Sequence, residues 1–341
     1  MTAAGINFAL LIPILFALFL SFGLFFWWKK KTGVHYWGSL AGVICFFLFA
    51  QIFEAFFHQV FMYSLGPISA AIMGSPLVFT VYSCLMAGLF EETGRRFGFS
   101  VFLRDRNEKE YAVAYGIGHG GFEALILLGA TYSMYFLATA GAEIVNPETT
   151  AQVLKAAGSI PFSTMCIAIF ERISAMLLHI GLSMLMFVAV KGKGKKWLYP
   201  VSILLHALAD APASLYQQKI MTSLFVIEGF AFVYGLAVFF LGKKVLAGYV
   251  PQPVPARTAT AVKAAAETAG EKAGTDPGET AAEATAENVS GKEAEASEVT
   301  AAEPDAGDPA ESIPAGETKN DTDLPENGPD ETETLKNSQQ E

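Results

Sequence analysis

Four short stretches of this 341-residue chain place ionisable side chains at spacings that allow joint chemistry. Glu91 and Glu92 precede Arg95 and Arg96 in GLFEETGRRFGF, His119 and Glu123 stand four apart in GIGHGGFEAL, and His206 and Asp210 stand four apart in LLHALADAP. A fourth stretch, ERISAMLLHIGLS, carries Glu171, Arg172 and His179. On a helix, residues four apart share one face about a turn from each other, so each H-x-x-x-acid pair aims an imidazole and a carboxylate the same way. Neutral imidazoles and carboxylates are preferred zinc ligands, and a catalytic zinc keeps one position open for water, whose pKa it lowers to about 7. Moving a proton from that water to a leaving amine asks for a further carboxylate. Glu91 or Glu92 meets that need, with Arg95 one turn beyond Glu91 to hold it ionised. His119, Glu123, His179, His206 and Asp210 are the candidate metal ligands.

Long apolar runs must position these groups. About 20 apolar residues cross a bilayer as a helix, and seven runs qualify: 8–28, 36–62, 75–98, 111–138, 165–190, 198–216 and 220–241. Backbone polar groups in lipid have to be satisfied within their own segment, so runs this long are helices. The expected architecture is an all-α, polytopic membrane helix bundle of about seven spans occupying residues 1–245. The first run has no basic leader and no small-residue cleavage site and is followed by Lys29, Lys30 and Lys31, which makes it a retained anchor.

Loop charge orients the bundle. Lys29–Lys31, the group from Arg95 to Lys109, Lys191–Lys196, and Lys243 with Lys244 follow alternate spans, whereas the intervening loops carry few basic residues. The positive-inside rule then makes those four connections cytoplasmic, with the N-terminus outside a multi-pass cell-membrane protein and the C-terminal tail inside. Counted from these cytoplasmic ends, Glu91, His119, His179 and His206 lie 7 to 11 residues in, which is roughly 10–16 Å at about 1.5 Å per residue. Four spans therefore carry polar groups in one layer, at depths where each ionisable group costs on the order of 2.5–3.5 kcal/mol and needs a functional or pairing reason.

Composition changes abruptly near residue 250. Every Phe, Trp and Tyr lies before it, and the first part has 17 Lys and Arg against 12 Asp and Glu, leaving 6 against 21 for the rest of a chain with net charge −10. An acidic segment without aromatics cannot bury enough apolar surface to offset ordering, so residues 246–341 are expected to be a disordered acidic cytoplasmic tail. Cys45, Cys84 and Cys166 sit singly in three different runs and read as apolar packing. No phosphate-binding loop, nucleic-acid motif or internal repeat is present, and nucleic acid is not an expected partner.

Glu-Glu-x-x-Arg on one run, His-Gly-x-x-Glu on the next, then a lone histidine and His-x-x-x-Asp on later runs resemble the superfamily of intramembrane metalloproteases that contains the type II CAAX prenyl endopeptidases, bacteriocin-processing proteins and PrsW. Within it the pattern resembles the YhfC family, over about residues 1–245. The resemblance implies that one of Glu91 and Glu92 activates water, that Arg95 is the motif's basic residue, and that His119, His206 and Asp210 match its histidine motifs. Glu123 fits the H-x-x-x-E form, and His179 a lone-histidine span.

Together these readings describe an intramembrane zinc-dependent endopeptidase that hydrolyses a peptide bond of a membrane-embedded or lipidated substrate near the cytoplasmic leaflet, with the lipid bilayer as its other partner. A transporter or channel could use the same acids and histidines to relay protons or bind a cation, and a non-catalytic scaffold or immunity-type protein could use them for packing; stoichiometric bound zinc separates the first reading from the second. Outside the layer, Glu171 and Arg172 read as an ion pair, Glu54 and His58 as packing polarity apart from the site, and Glu228 carries no assigned role. The loop charges make one direct prediction: a reporter fused after Lys244 lies in the cytoplasm and one inserted between Asn146 and Lys155 lies outside, as read by alkaline phosphatase and green fluorescent protein fusions. Finding both on one side would refute the seven-span topology.

Overall fold

The structure, a computed structural model, is described for residues 6–251 and is all-helical there. Its helices are α1 (Phe8–Thr32), α2 (Trp37–Ser64), α3 (Pro67–Met73), α4 (Pro76–Phe102), α5 (Glu110–Thr139), α6 (Pro147–Ser159), α7 (Phe162–Lys191), α8 (Leu198–Gln217) and α9 (Leu224–Ala247). Six of them, α1, α2, α5, α7, α8 and α9, are each long and apolar enough to cross a membrane, and α3 with α4 makes a seventh candidate bent by 101° at its break. Pro76 at the start of α4 and the Ser75 side chain capping Val78 NH explain the new helix axis. Beyond Pro251, the segment expected to be disordered falls outside the described residues.

The expected runs are recovered with shifted ends. The last begins at Leu224, later than expected, and continues through Lys243 and Lys244 to Ala247, because lysines at a helix end can carry their ammonium groups outward while the backbone stays helical. Two of the three connections on the far side from the basic loops contain short helices that apolar length does not reveal. In α6, Asn146 caps Thr149 NH and Pro147 occupies the first turn. Parts of α2, α4 and α5 are π-helical, including Phe47–Glu54, Gly98–Phe102 and Leu125–Ala130; this wider winding shifts the face a later residue presents.

α7 is the hub. Within its apolar window 78% of residues are buried in the protein, against 17–39% for the other five single-helix spans, so α7 is surrounded by protein while its neighbours show a side to lipid. It packs on α5 and α9, α5 packs on α2, and α4 packs on α8. Close approach at the two contacts that matter for the site depends on glycine. A Cβ on Gly88 of α4 would stand 2.6 Å from the Ile203 carbonyl oxygen of α8, and one on Gly116 of α5 would stand 2.6 Å from the Ile180 Cα of α7. Backbone cannot retreat from such a contact without moving a helix. Gly88→Leu is therefore expected to separate α4 from α8 and to lower stability by roughly 1–3 kcal/mol or more, measured as a reduced melting temperature in detergent, with Gly229→Leu, where a Cβ meets open space, close to the wild type.

Candidate functional site

Glu91, Glu92 and Arg95 project from α4 into the bundle, where they meet His119 of α5, His179 of α7 and His206 of α8. Glu92 and Arg95 expose no surface at all, and His119, His179 and His206 are buried. The four spans do bring their polar groups together, and nearly all the bonds run between helices.

Two lines of arginine, glutamate and histidine converge on Glu91. In the first, Arg95 Nε donates to both oxygens of Glu92 at 3.2 Å, and Glu92 Oε1 lies 3.0 Å from Nδ1 of His206. A carboxylate held by a guanidinium is only an acceptor. His206 Nδ1 therefore carries a hydrogen, and its Nε2 faces Glu91 Oε2, 3.6 Å away. In the second line, Arg172 Nη1 donates to Glu123 Oε1 at 2.6 Å, and Glu123 Oε2 is paired with His179 Nε2. By the same argument His179 keeps its hydrogen on Nε2 and presents Nδ1 as an acceptor, 3.2 Å from Arg95 Nη2 and 3.9 Å from Glu91 Oε2. Arg95 also donates through Nη1 to the His179 carbonyl at 3.1 Å and to Ser183 Oγ at 2.6 Å. His119 Nε2 sits 2.8 Å from Glu91 Oε2, while its Nδ1 is buried without a hydrogen-bond partner.

These contacts revise several sequence-based pairings. The i,i+4 expectation matched His119 with Glu123, yet Glu123 binds His179 and Arg172 and His119 binds Glu91. Arg95 supports Glu92 at i+3 and not Glu91 at i+4. Arg96 leaves the site altogether and lies over the Tyr199 ring, 4.9 Å from its centroid. His206 and Asp210 do share a face, at 3.7 Å, with Asp210 half-exposed. Arg172 forms the expected ion pair with Glu171, at 2.6 Å, but its other nitrogen makes it part of the site. Ser183 was missed, although it stands four residues after His179 on the same face of α7.

The site adjoins two cavities. One of about 120 Å3 between α7, α8 and α9 is lined by Glu91, His179, His206, Asp210 and Glu228. The other, about 270 Å3, opens between α2, α4 and α5 and is lined by Gln51, Glu54, His58, Glu91 and Glu123. Glu54 and His58, 3.2 Å apart, with Tyr82 Oη 3.1 Å beyond, therefore share a cavity with the site and do not stand apart from it. Glu91 and Glu123 form the wall between the two.

One ligand atom from each of Glu91, His119 and His179 lies within 4.8 Å of the other two, a spacing that a single metal ion can span. The chemistry of the set, two imidazoles and a carboxylate, suits zinc. Glu123 acts here as the outer carboxylate that orients His179, as such groups do around metal-binding imidazoles.

Fold and site together define a multi-span helical membrane protein with carboxylates and imidazoles gathered in its interior. The chain matches the family model described as YhfC intramembrane metalloprotease over residues 16–231, and it belongs to that family. A relative from Bacillus subtilis (strain 168), called uncharacterized membrane protein YhfC, is 34% identical over 238 residues, covering 67% of this chain and 92% of the relative. No solved structure matches.

The buried pair at the heart of the site predicts a non-additive response. Arg95→Met strands the Glu92 charge and is expected to cost about 3–5 kcal/mol, as breaking a buried pair does. Adding Glu92→Gln should recover at least about 1 kcal/mol of that loss, because the stranded charge is then gone. Denaturant unfolding of the two single variants and the double variant in micelles measures the coupling; strictly additive losses would contradict it.

Proposed function

We propose that this protein is a zinc-dependent endopeptidase that cleaves a membrane-embedded or lipidated substrate near the cytoplasmic leaflet. The observation that carries the reading is the buried Glu91, His119 and His179 set, of which Glu91 and His179 line a cavity shared with Asp210 and Glu228. These three residues would hold the zinc, His179 through Nδ1 in place of that atom's contact with Arg95. When bound, it supplies a Lewis acid and a water of lowered pKa.

The remaining groups serve proton transfer and orientation. His206 turns Nε2 to the cavity while Glu92 holds its Nδ1, so in its neutral form it is placed to take a proton from water and to return it to the leaving amine. Glu92 cannot itself reach substrate, since it exposes no surface and is held by Arg95; it is a positioning residue. The base sought at Glu91 or Glu92 from sequence is thus reassigned to the His206 and Glu92 pair, with Glu91 among the ligands. Glu123 and Arg172 orient His179, and Asp210 lines the cavity beside His206.

The assignment separates ligands from the proton carrier. His119→Ala and Glu91→Gln are expected to lose zinc and cleavage together, by elemental analysis of purified protein and by counting new peptide termini in membranes expressing each variant. His206→Ala is expected to retain zinc while cleavage falls about 10²- to 10⁴-fold, the usual contribution of a proton carrier. Zinc retained without cleavage in Glu91→Gln would make Glu91 the base. Wild-type protein that holds no stoichiometric zinc would favour the proton- or cation-transporting alternative.

A further inference from the structure

At the end of the bundle that carries the lysine- and arginine-rich loops, α4, α7 and α8 enclose a cavity of about 350 Å3 lined by Arg96, Ser100, Ala189, Val190, Lys196 and Tyr199. Its polar lining is two cations and two hydroxyl groups, with no carboxylate. Among the described residues no acid pairs with Arg96 or Lys196; the acids of the neighbouring loop are spoken for in part by Arg104, which binds Asp105 at 3.1 Å. Arg96 is held in place. Its guanidinium lies 4.9 Å from the centroid of the Tyr199 ring, and the Tyr199 hydroxyl is fixed by a 2.7 Å hydrogen bond with Thr93 Oγ1. Stacking on a ring leaves the edge of a guanidinium free, and that edge matches the paired oxygens of a phosphate. Ser100 stands one turn beyond Arg96 on the same side of α4, adding a hydroxyl donor.

The surroundings identify the ligand's remaining chemistry. The walls beside the cations are Ala189 and Val190, and the outer face of α4 at this level exposes Phe97 and Val101 to lipid. A free anion would gain nothing from that apolar margin, whereas an amphiphile would place its phosphate between Arg96 and Lys196 and its acyl chains along α4. We propose that this cavity binds the headgroup phosphate of an anionic phospholipid. Basic pockets between spans at the membrane surface bind such headgroups, each basic group contributing about 1 kcal/mol. Occupancy clamps α4 to α8, the two helices that carry Glu92 and His206. The inference is independent of the peptidase reading.

Lipid binding to purified full-length protein, resolved by native mass spectrometry, tests it. Phosphatidylglycerol is expected to be retained in preference to phosphatidylcholine, and Arg96→Gln with Lys196→Gln is expected to weaken phosphatidylglycerol binding about 30-fold, which is two groups at about 1 kcal/mol each. A control with Lys29→Gln and Lys30→Gln removes the same charge from the end of α1 and should leave the preference largely intact. Tyr199→Leu, which frees Arg96 without removing charge, should give an intermediate loss. Equal weakening in the control would overturn the site in favour of diffuse surface charge. Binding of inorganic phosphate that displaces phosphatidylglycerol at equal concentration would overturn the lipid assignment.

Discussion

Arg95 and Glu92 leave water and lipid together. Neither exposes any surface, and moving two such ions out of water costs several kcal/mol each unless their bonding capacity is filled. The protein fills it by spreading the bonds over three helices: Glu92 accepts from Arg95 and His206, and Arg95 donates onward to the His179 carbonyl, His179 Nδ1 and Ser183. The approach of α4, α7 and α8 is thereby tied to a charge pair that tolerates no gap. Hydrophobic burial brings these helices near each other, but lipid tails compete equally well for apolar surface. Polar complementarity specifies the alignment.

The same pairing fixes where hydrogens sit on the imidazoles. Arg95 with Glu92 sets the tautomer of His206, and Arg172 with Glu123 sets that of His179. In each line the arginine keeps the carboxylate an acceptor, the carboxylate claims one ring nitrogen, and the other nitrogen turns toward Glu91. The two lines arrive from opposite directions, one from the side of the basic loops and one from the N-terminal half of α7, where Glu171 pairs with buried Arg172. Glu91 is left as the acid bordered by both cavities and all three imidazoles.

Small residues make this density of polar groups geometrically possible. Gly88 and Gly116 let backbone lie against backbone beside the site, which shortens the reach required of glutamate and histidine side chains. Glycine in a helix ordinarily weakens it by about 1 kcal/mol relative to alanine. Here that cost is offset by packing and by the polar contacts that the close approach allows.

Much of this was legible along the chain because the membrane imposes local rules. Apolar runs long enough to span must be helices, and the all-helical fold and most of its spans follow from that alone. Ionisable residues at such depth stand out as expensive, which marked Glu91, Glu92, Arg95, His119, Glu123, His179, His206 and Asp210 without reference to structure. Pairing was another matter. Along one helix only i+3 and i+4 neighbours are visible, so His119 seemed matched to Glu123 and Arg95 to Glu91, whereas the folded protein joins His119 to Glu91, Glu123 to His179 and Arg172, and Glu92 to His206. Those partners lie 28 to 114 residues apart. Their contact depends on helix rotation and crossing, set by glycine contacts and π-helical turns that change which face a residue presents. Depth and residue type are properties of one segment; the identity of the atom across the gap is decided only when several segments pack.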